Sequence, residues 1–403
     1  MKIGFMGNMN NKSFMLAREY KRMGYDVVFI IHYHKENKLC RPEYRYKDIQ
    51  YPYPEWIVEE VLPEAKLYLF GLGSYINKIK SILNQCDYVF LNDSGHLFRN
   101  FLDKKVVSAS LASGADLDAS ANYSAITKET FRKNSFLIAC LKYPFTMYKT
   151  FLQRKGFEKA EIITYFPKGI NIEGDIIIDK IQHKNKNISR EFFQMSEVND
   201  LKFTHLPNNK IPILFSATRF EWGNDSSILQ KWSKGNDIMI RGVALFYEKT
   251  KTKIFLNLVE KGSSVKKTKE LINSLGIEDI VIWHKEMSQK EVYEWYEKSD
   301  VIIEQLGNHL IAMAGLDAMA IGRPVIGNAR NKILEPVIGE KSAVCDASTP
   351  EEVCQWIERL ILDQNEKKVI SLQSRKYVEQ HFAPSKYATR FLDILTNKSR
   401  IYE

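Results

Sequence analysis

No apolar run in this chain is long enough to cross a bilayer. The longest, such as residues 310–316 and 211–215, fall well short of the ~20 residues a spanning helix needs. Met1-Lys2 leads straight into a short β-rich run rather than a leader, so a cytoplasmic location is expected, with peripheral attachment to the inner face of a membrane as a variant of it. The five cysteines, Cys40, Cys86, Cys140, Cys345 and Cys354, form no CxxC pair and are odd in number. That argues against a zinc knuckle or a disulfide framework and predicts reduced, mostly buried thiols. No GxGxxG follows the first strand candidate, which speaks against a dinucleotide site. No pair of carboxylates has the context of a hydrolase pair and no His/Asp/Glu cluster has metal-ligand spacing. Asp93-Ser94-Gly95 ends in glycine and so is not a metal-binding Asp-x-Asp; neither a metal nor a cofactor is expected. Internal repeats, long low-complexity tracts and nucleic-acid motifs are also missing.

What the chain does have is enough material for two cores: 403 residues, 44% hydrophobic and 12% aromatic. Its net charge of +9 suits an anionic partner, whether a nucleotide diphosphate, an acidic lipid surface or a nucleic acid, and charge alone does not choose among them. Short β-rich runs alternate with helical patterns from the start: 2–6, a helix over 13–23, then 26–31, with further strands expected at 66–70, 88–91, 106–110 and 161–165. Between 181 and 209 the pattern dissolves into polar and turn residues, where a junction is expected. A second series follows, with strands at 211–216, 253–258, 280–283, 301–304 and 324–327 and helices at 237–248 and 264–275. The tail from Glu351 is helical by period, and Pro384-Ser385 opens a last amphipathic segment ending near Leu395. Each half reads as a doubly wound α/β domain, at 1–195 and 205–380, with 381–403 as a C-terminal helix able to cross back to the first.

The most informative stretch runs Ser299-Asp300-Val301-Ile302-Ile303-Glu304, then Gly307-Asn308-His309, then Gly315-Leu316-Asp317-Ala318-Met319-Ala320-Ile321-Gly322-Arg323-Pro324. It resembles the donor-binding segment of retaining GT-B glycosyltransferases of the family-four type (glycosyl transferases group 1). A loop followed by a helix N-terminus offers backbone N–H groups and a positive dipole end to a diphosphate or a sugar hydroxyl, with Gly307 allowing close approach. The family has two glutamates separated by seven residues here, and this chain has His309 and Asp317 in their places. Asp317 keeps a carboxylate able to accept ribose hydroxyls, while His309 offers one donor and one acceptor, or a cation for an acidic sugar. Phe215-Ser216-Ala217-Thr218-Arg219 followed by Lys234-Gly235 resembles the strand, arginine and Lys-Gly turn that grip the donor diphosphate. The interval between Arg219 and Lys234 is longer than usual, as if a loop holding Trp222 and Trp232 were inserted. Fixed cations suit a leaving group whose negative charge grows as the glycosidic bond breaks. The loops at Glu260-Lys261-Gly262 and Lys285-Glu286-Met287 fall where the resemblance puts the surroundings of the nucleotide base.

In the first half, Gly7-Asn8 follows the opening strand where a Gly-containing loop faces a cleft. Ala112-Ser113-Gly114-Ala115-Asp116 resembles the family's His-Gly-x-Asp turn with Ser113 in place of histidine, which makes Asp116 the candidate for positioning a sugar. His96 is a further cleft candidate. Residues 131–159 interleave Arg132, Lys133, Lys142, Lys149 and Arg154 with aromatics, a face suited to an acidic membrane or a polyanionic acceptor, or else a solvated helix whose aromatics are core.

The resemblance implies a GT-B fold, two Rossmann-like domains facing across a cleft, and transfer from a nucleotide-sugar donor to a glycan or lipid-linked acceptor, with retention and without metal or nucleic acid. Arg219 and Lys234 would stabilise the diphosphate, with Asp317 on the ribose and Gly307, Asn308, His309, Leu310 and Ile311 around the sugar. His309 and Asp116 are the candidate groups nearest the chemistry. A nucleotide-sugar 2-epimerase on the same fold and a non-catalytic sugar-nucleotide or glycan-binding protein are the rival readings.

Overall fold

The computed structural model describes residues 1–223 and 233–402, and the chain divides into two compact units, Met1–Phe193 with the chain from Ser385 onward, and Gln194–Pro384. Unit 1 is built on a seven-stranded parallel sheet: β1 (Lys2–Met6), β2 (Asp26–Ile31), β3 (Ile57–Glu59), β4 (Tyr88–Asn92), β5 (Val107–Leu111), β6 (Ile162–Thr164) and β7 (Ser189–Glu191), in the order β3-β2-β1-β4-β5-β6-β7. The central strands are apolar and buried along nearly their whole length because helices cover both faces. Phe5 of β1 stacks on Phe90 of β4 with ring centroids 4.9 Å apart. The last helix, Pro384–Tyr402, belongs to this core: Tyr20 donates its hydroxyl to the Ala388 carbonyl (2.9 Å), and Phe391 packs edge-on against Phe193.

Unit 2 repeats the scheme with six parallel strands, β8 (Ile213–Ser216), β9 (Phe255–Val259), β10 (Val281–His284), β11 (Val301–Ile303), β12 (Val325–Gly327) and β13 (Cys345–Asp346), ordered β10-β9-β8-β11-β12-β13. Its helices start on signals written in the sequence. Ser288 with Glu291 and Thr349 with Glu352 form reciprocal capping boxes, the second with Pro350 at the first helical position. Asp300, just before β11, is not a site residue. It forms a buried ion pair with Lys367 (2.7 Å) and accepts from the Ile213 amide (2.9 Å), fixing the start of β8 beside β11.

Several expectations need correction. The run Lys66–Phe70 is a 3-10 turn closed by Gly71 in the left-handed region (φ 74°), because its apolar residues do not alternate: Tyr68 and Leu69 point inward while Leu67 and Phe70 are exposed. The strand it replaced is β3, at the sheet edge. Trp222 is core, its indole N–H donating to the Thr268 hydroxyl (2.8 Å), and Trp232 lies outside the described residues.

Candidate functional site

In unit 2 the order of the sheet reverses between β8 and β11, which opens a crevice beyond the carboxyl ends of those strands. A pocket of about 540 Å³ lies there, lined among others by Thr218, Arg219 and Glu221 after β8, Lys234, and Glu304 and Gln305 after β11. The sequence separates Arg219 from Lys234 by a long interval, and the fold brings them to one wall. The Lys234 backbone is held at both ends, its N–H donating to the Glu221 carbonyl (2.7 Å) and its carbonyl accepting from the Leu306 and Gly307 amides (2.9 and 3.2 Å). Its ammonium donates to Gln305 Oε1 (2.7 Å), and Gln305 in turn donates to the Leu310 carbonyl. The Arg219 guanidinium, by contrast, is exposed and in no ion pair among the described residues. A planar, five-donor fork and a buttressed point charge on one wall are the chemistry that suits an anion with several oxygens.

Glu304 is the pocket residue that sequence reasoning missed. It is buried, and its Oε2 accepts the amide of Ala312 (3.2 Å), the N-cap of helix Met313–Ile321, so a carboxylate already occupies that helix's positive end. Burial pushes its carboxyl above the ordinary range, against the pull of the Ala312 and Gln305 amides and of Lys234. Burial likewise pushes the Lys234 ammonium below its usual value, Arg219 adding to the shift and Glu304 opposing it. A raised carboxyl contributes stability that is fully present below the ordinary carboxylate value and is lost as pH rises through the raised one. A diphosphate beside it favours the same protonated state. Nucleotide-sugar affinity is therefore expected to rise as pH falls through the raised value, and Glu304→Gln to flatten that dependence. Isothermal titration between pH 5 and 8 with a nucleotide sugar, whose diphosphate diester does not titrate in that range, measures it. An unchanged slope in the variant would assign the proton elsewhere.

The remaining residues expected around the donor have other tasks in the structure. Gly307 closely approaches the chain: a Cβ there would lie 2.0 Å from the Ser233 carbonyl oxygen, so glycine lets the Lys234-Gly235 turn pack. Asn308 is exposed, whereas His309, Leu310 and Ile311 are buried and do not line the pocket. Asp317 is not there either. It is buried in helix Met313–Ile321, where Oδ1 accepts from the Ser196 hydroxyl and the Glu197 amide (both 2.9 Å) and Oδ2 from the Tyr293 hydroxyl (2.9 Å). With three donors already on it, this carboxylate anchors residues 196–197 rather than facing the pocket that holds Arg219. Lys285 is exposed and Met287 half-buried in the loop after β10, beside Glu286, which pairs with Lys261 (2.5 Å).

In unit 1 the sheet order reverses between β1 and β4, and the loops that follow them meet closely. Gly7 (φ 92°) would place a Cβ 1.9 Å from the Asn92 carbonyl oxygen, so it serves the contact of two loops. Asn8 is fully buried and ties its own loop, donating to Asn11 (2.7 Å) and the Cys40 carbonyl (3.0 Å) and accepting from the Phe14 amide (3.0 Å). Asp116 is buried too. It accepts from the Ser113 amide (2.9 Å) and the Asp93 amide (3.3 Å) and meets His96 Nε2 at 3.0 Å, and His96 is itself fully buried against Phe157. Both therefore hold the loops in place. The half-exposed group at this switch point is Asp93, in the left-handed region (φ 51°), its Oδ2 accepting from the Tyr33 hydroxyl (3.0 Å). Beside it His32 bonds Ser94 (2.9 Å); burial holds its imidazole down to about 4, Asp93 opposing the shift and Lys149 adding to it. The signal that could have singled out Asp93 is its place directly after a buried strand beside the reversal.

Among the described residues no group of three His, Cys, Asp or Glu side chains is placed to hold a metal ion, and no helix is long and apolar enough to cross a membrane.

Comparison with known proteins finds a family match for part of the chain and a shared fold for the whole. Residues 228–377 match the model described as Glycosyl transferases group 1. A D-inositol 3-phosphate glycosyltransferase of Xylanimonas cellulosilytica is 20% identical over 171 residues, 41% of this chain and only 40% of that protein. The crystal structure of Anabaena HepE in complex with UDP and glucose superposes over 98% of this chain and 100% of its own, with a TM-score of 0.62 at 12% identity. The lipopolysaccharide outer core galactosyltransferase WaaB covers 99% and 100% with a TM-score of 0.56 at 15% identity. A Rickettsia africae glycosyltransferase covers 98% and 97% with a TM-score of 0.59 at 14% identity. Residues 228–377 thus resemble the group 1 glycosyltransferases, and the two parallel Rossmann-like sheets give the chain a GT-B-type fold.

Proposed function

We propose that the protein transfers a sugar from a nucleotide-sugar donor to a glycan or lipid-linked acceptor, with retention of the anomeric configuration and without a metal ion, in the synthesis of a surface polysaccharide or glycoconjugate on the cytoplasmic side of a membrane. The observation that carries this reading is the convergence of Arg219 and Lys234 on one pocket at the switch point of unit 2. HepE, in complex with UDP and glucose, supports a nucleotide-sugar donor, and WaaB an acceptor in surface-glycan synthesis.

In this account the diphosphate lies against Arg219 and Lys234. As the bond from the anomeric carbon to the diphosphate oxygen lengthens, negative charge collects on that oxygen, and the two cations are already aimed at it. Gln305 keeps the Lys234 ammonium from swinging away. The acceptor hydroxyl oxygen bonds the anomeric carbon from the same face as the bond to the diphosphate breaks, and its proton passes to the departing diphosphate oxygen.

The test is a panel of nucleotide sugars incubated with the protein in the presence of a chelator, with released nucleotide and sugar anomer followed by NMR. Release from one donor, unaffected by chelation and giving a product of the donor's own anomeric configuration, is expected. Epimerised donor without nucleotide release, or tight binding without turnover over a broad acceptor panel, would contradict the proposal in favour of an epimerase or a binding protein.

A further inference from the structure

Helix Phe136–Glu158 begins in an unusual way. Of its first six residues only Ala139 is buried, while Phe136, Leu137 and Leu141 are 73%, 76% and 82% exposed and Ile138 is 46% exposed. Clusters of large exposed apolar side chains of this kind mark interaction surfaces. The cluster extends beyond the first turns. Leu137, Leu141, Phe145 and Tyr148 share one stripe of the helix. Tyr148 stacks on Phe70 (5.2 Å between centroids), which is 55% exposed beside Leu67 and Leu72, exposed by 56% and 58%. The helix is pinned from beneath: Phe131 of helix Tyr123–Lys133 packs on Phe136 and Tyr143, and Thr127 bonds the Tyr143 hydroxyl (3.3 Å). The apolar ridge is therefore held outward by the fold.

Its charge is predominantly positive. Between Glu129 and Glu158 the chain has no carboxylate, and Arg132, Lys133 and Lys142 are exposed cations on or beside the ridge, Lys133 paired with Glu129. Lys66 adds a fourth, its ammonium 5.0 Å over the Phe145 ring. Lysine stems lie along apolar surface and keep their heads in the polar layer. A second copy of the chain would meet this face with an excess of like charges, Glu64 and Glu129 being the acids beside it, and interface cores are depleted in lysine. A free polyanion would find cations but leave the leucines and phenylalanine in water.

We propose that this ridge, Phe136–Leu141 with Phe70 and its ring of cations, docks unit 1 on the surface of an anionic lipid bilayer, the apolar side chains entering the headgroup boundary and the cations pairing with lipid phosphates. The same helix leads from that surface to the polar cluster of unit 1, since Lys149 lies within electrostatic range of Asp93 and His32. The helix thus joins the docking ridge to the Asp93 cluster, which on the transfer reading is where an acceptor head group carried on lipid is met. This last step rests on the transfer reading above, whereas the docking does not.

The experiment is co-sedimentation of the full chain with vesicles of phosphatidylcholine, with and without about a third phosphatidylglycerol. It is run for the natural protein, for Leu137→Glu/Leu141→Glu and for the milder Leu141→Ser. Salt-sensitive binding to the anionic vesicles only, reduced at least about tenfold by the double variant and less by the single one, with unchanged melting and unchanged hydrolysis of soluble donor, is the expected result. Three results would overturn the proposal: no binding to either vesicle, equal binding by all three proteins, or concentration-dependent self-association without lipid that the double variant abolishes. Vesicle binding by a protein that turns over no donor would leave the docking standing and remove the transfer reading.

Discussion

Replacing Lys234 with alanine is expected to lower turnover about 100- to 1000-fold, and Arg219→Ala to do the same within a few-fold, with weaker donor binding in both. The scale is that of removing one fixed donor aimed at a developing oxyanion. The physical case is stronger for Lys234, because its ammonium is oriented before any substrate arrives: Gln305 Oε1 holds it at 2.7 Å, and the backbone on either side is tied to Glu221 and Leu306. Alanine keeps those backbone bonds, so the loss is confined to the charge. Lys234→Arg is expected to recover little, since a planar fork does not fit the single contact made by a point charge on Gln305. Steady-state kinetics at saturating donor separate the rate effect from the affinity effect. A variant that lost affinity alone would mean that the cation binds the diphosphate equally in ground and transition states.

The second large effect concerns stability. Asp317→Ala is expected to destabilise unit 2 by roughly 3 kcal/mol or more, because it leaves the Ser196 hydroxyl, the Glu197 amide and the Tyr293 hydroxyl without their buried acceptor. For a unit of this size that is a fall of about 10 °C in Tm. Asp317→Asn keeps one acceptor oxygen, so a smaller fall is expected. Differential scanning calorimetry with donor titration distinguishes this from the ribose-binding role that the resemblance implies for the same residue. An unchanged Tm with a specific loss of nucleotide affinity would restore the ribose reading.

These two residues show where the sequence could be read and where it could not. Arg219 and Lys234 stand where a buried strand ends and a helix begins, and in a parallel sheet such places gather on one side of the switch point whatever separates them in the chain. Their convergence follows from the order of strands. Asp317, Asn8, Gly7 and Gly307 are different. A carboxylate that binds a ribose and one that binds Ser196 from 121 residues away are the same letter. A glycine that admits a phosphate and one that admits the Ser233 carbonyl are likewise the same. Long-range hydrogen bonds decide such cases, and spacing carries no record of them. Glu304 failed in the opposite direction. It looked like the polar end of a strand, and only its burial at a helix N-terminus gives it a task.

The fold shows the same division. The central strands β1, β4, β8 and β11 are apolar runs buried from both faces and were legible. The edge strands β3, β7 and β13 are two or three residues long, too short to show a period, whereas the apolar run at Lys66–Phe70 reads as a strand although it lacks alternation.

The central claim, that Arg219 and Lys234 form the diphosphate site, is tested most directly by the thermal shift of the natural protein, Arg219→Ala and Lys234→Ala across a panel of nucleotide sugars and their nucleotides. The account predicts a concentration-dependent rise in Tm of the natural protein with one donor and its nucleotide diphosphate, and its loss in both variants. A shift of equal size in all three proteins, or none with any nucleotide, would contradict it.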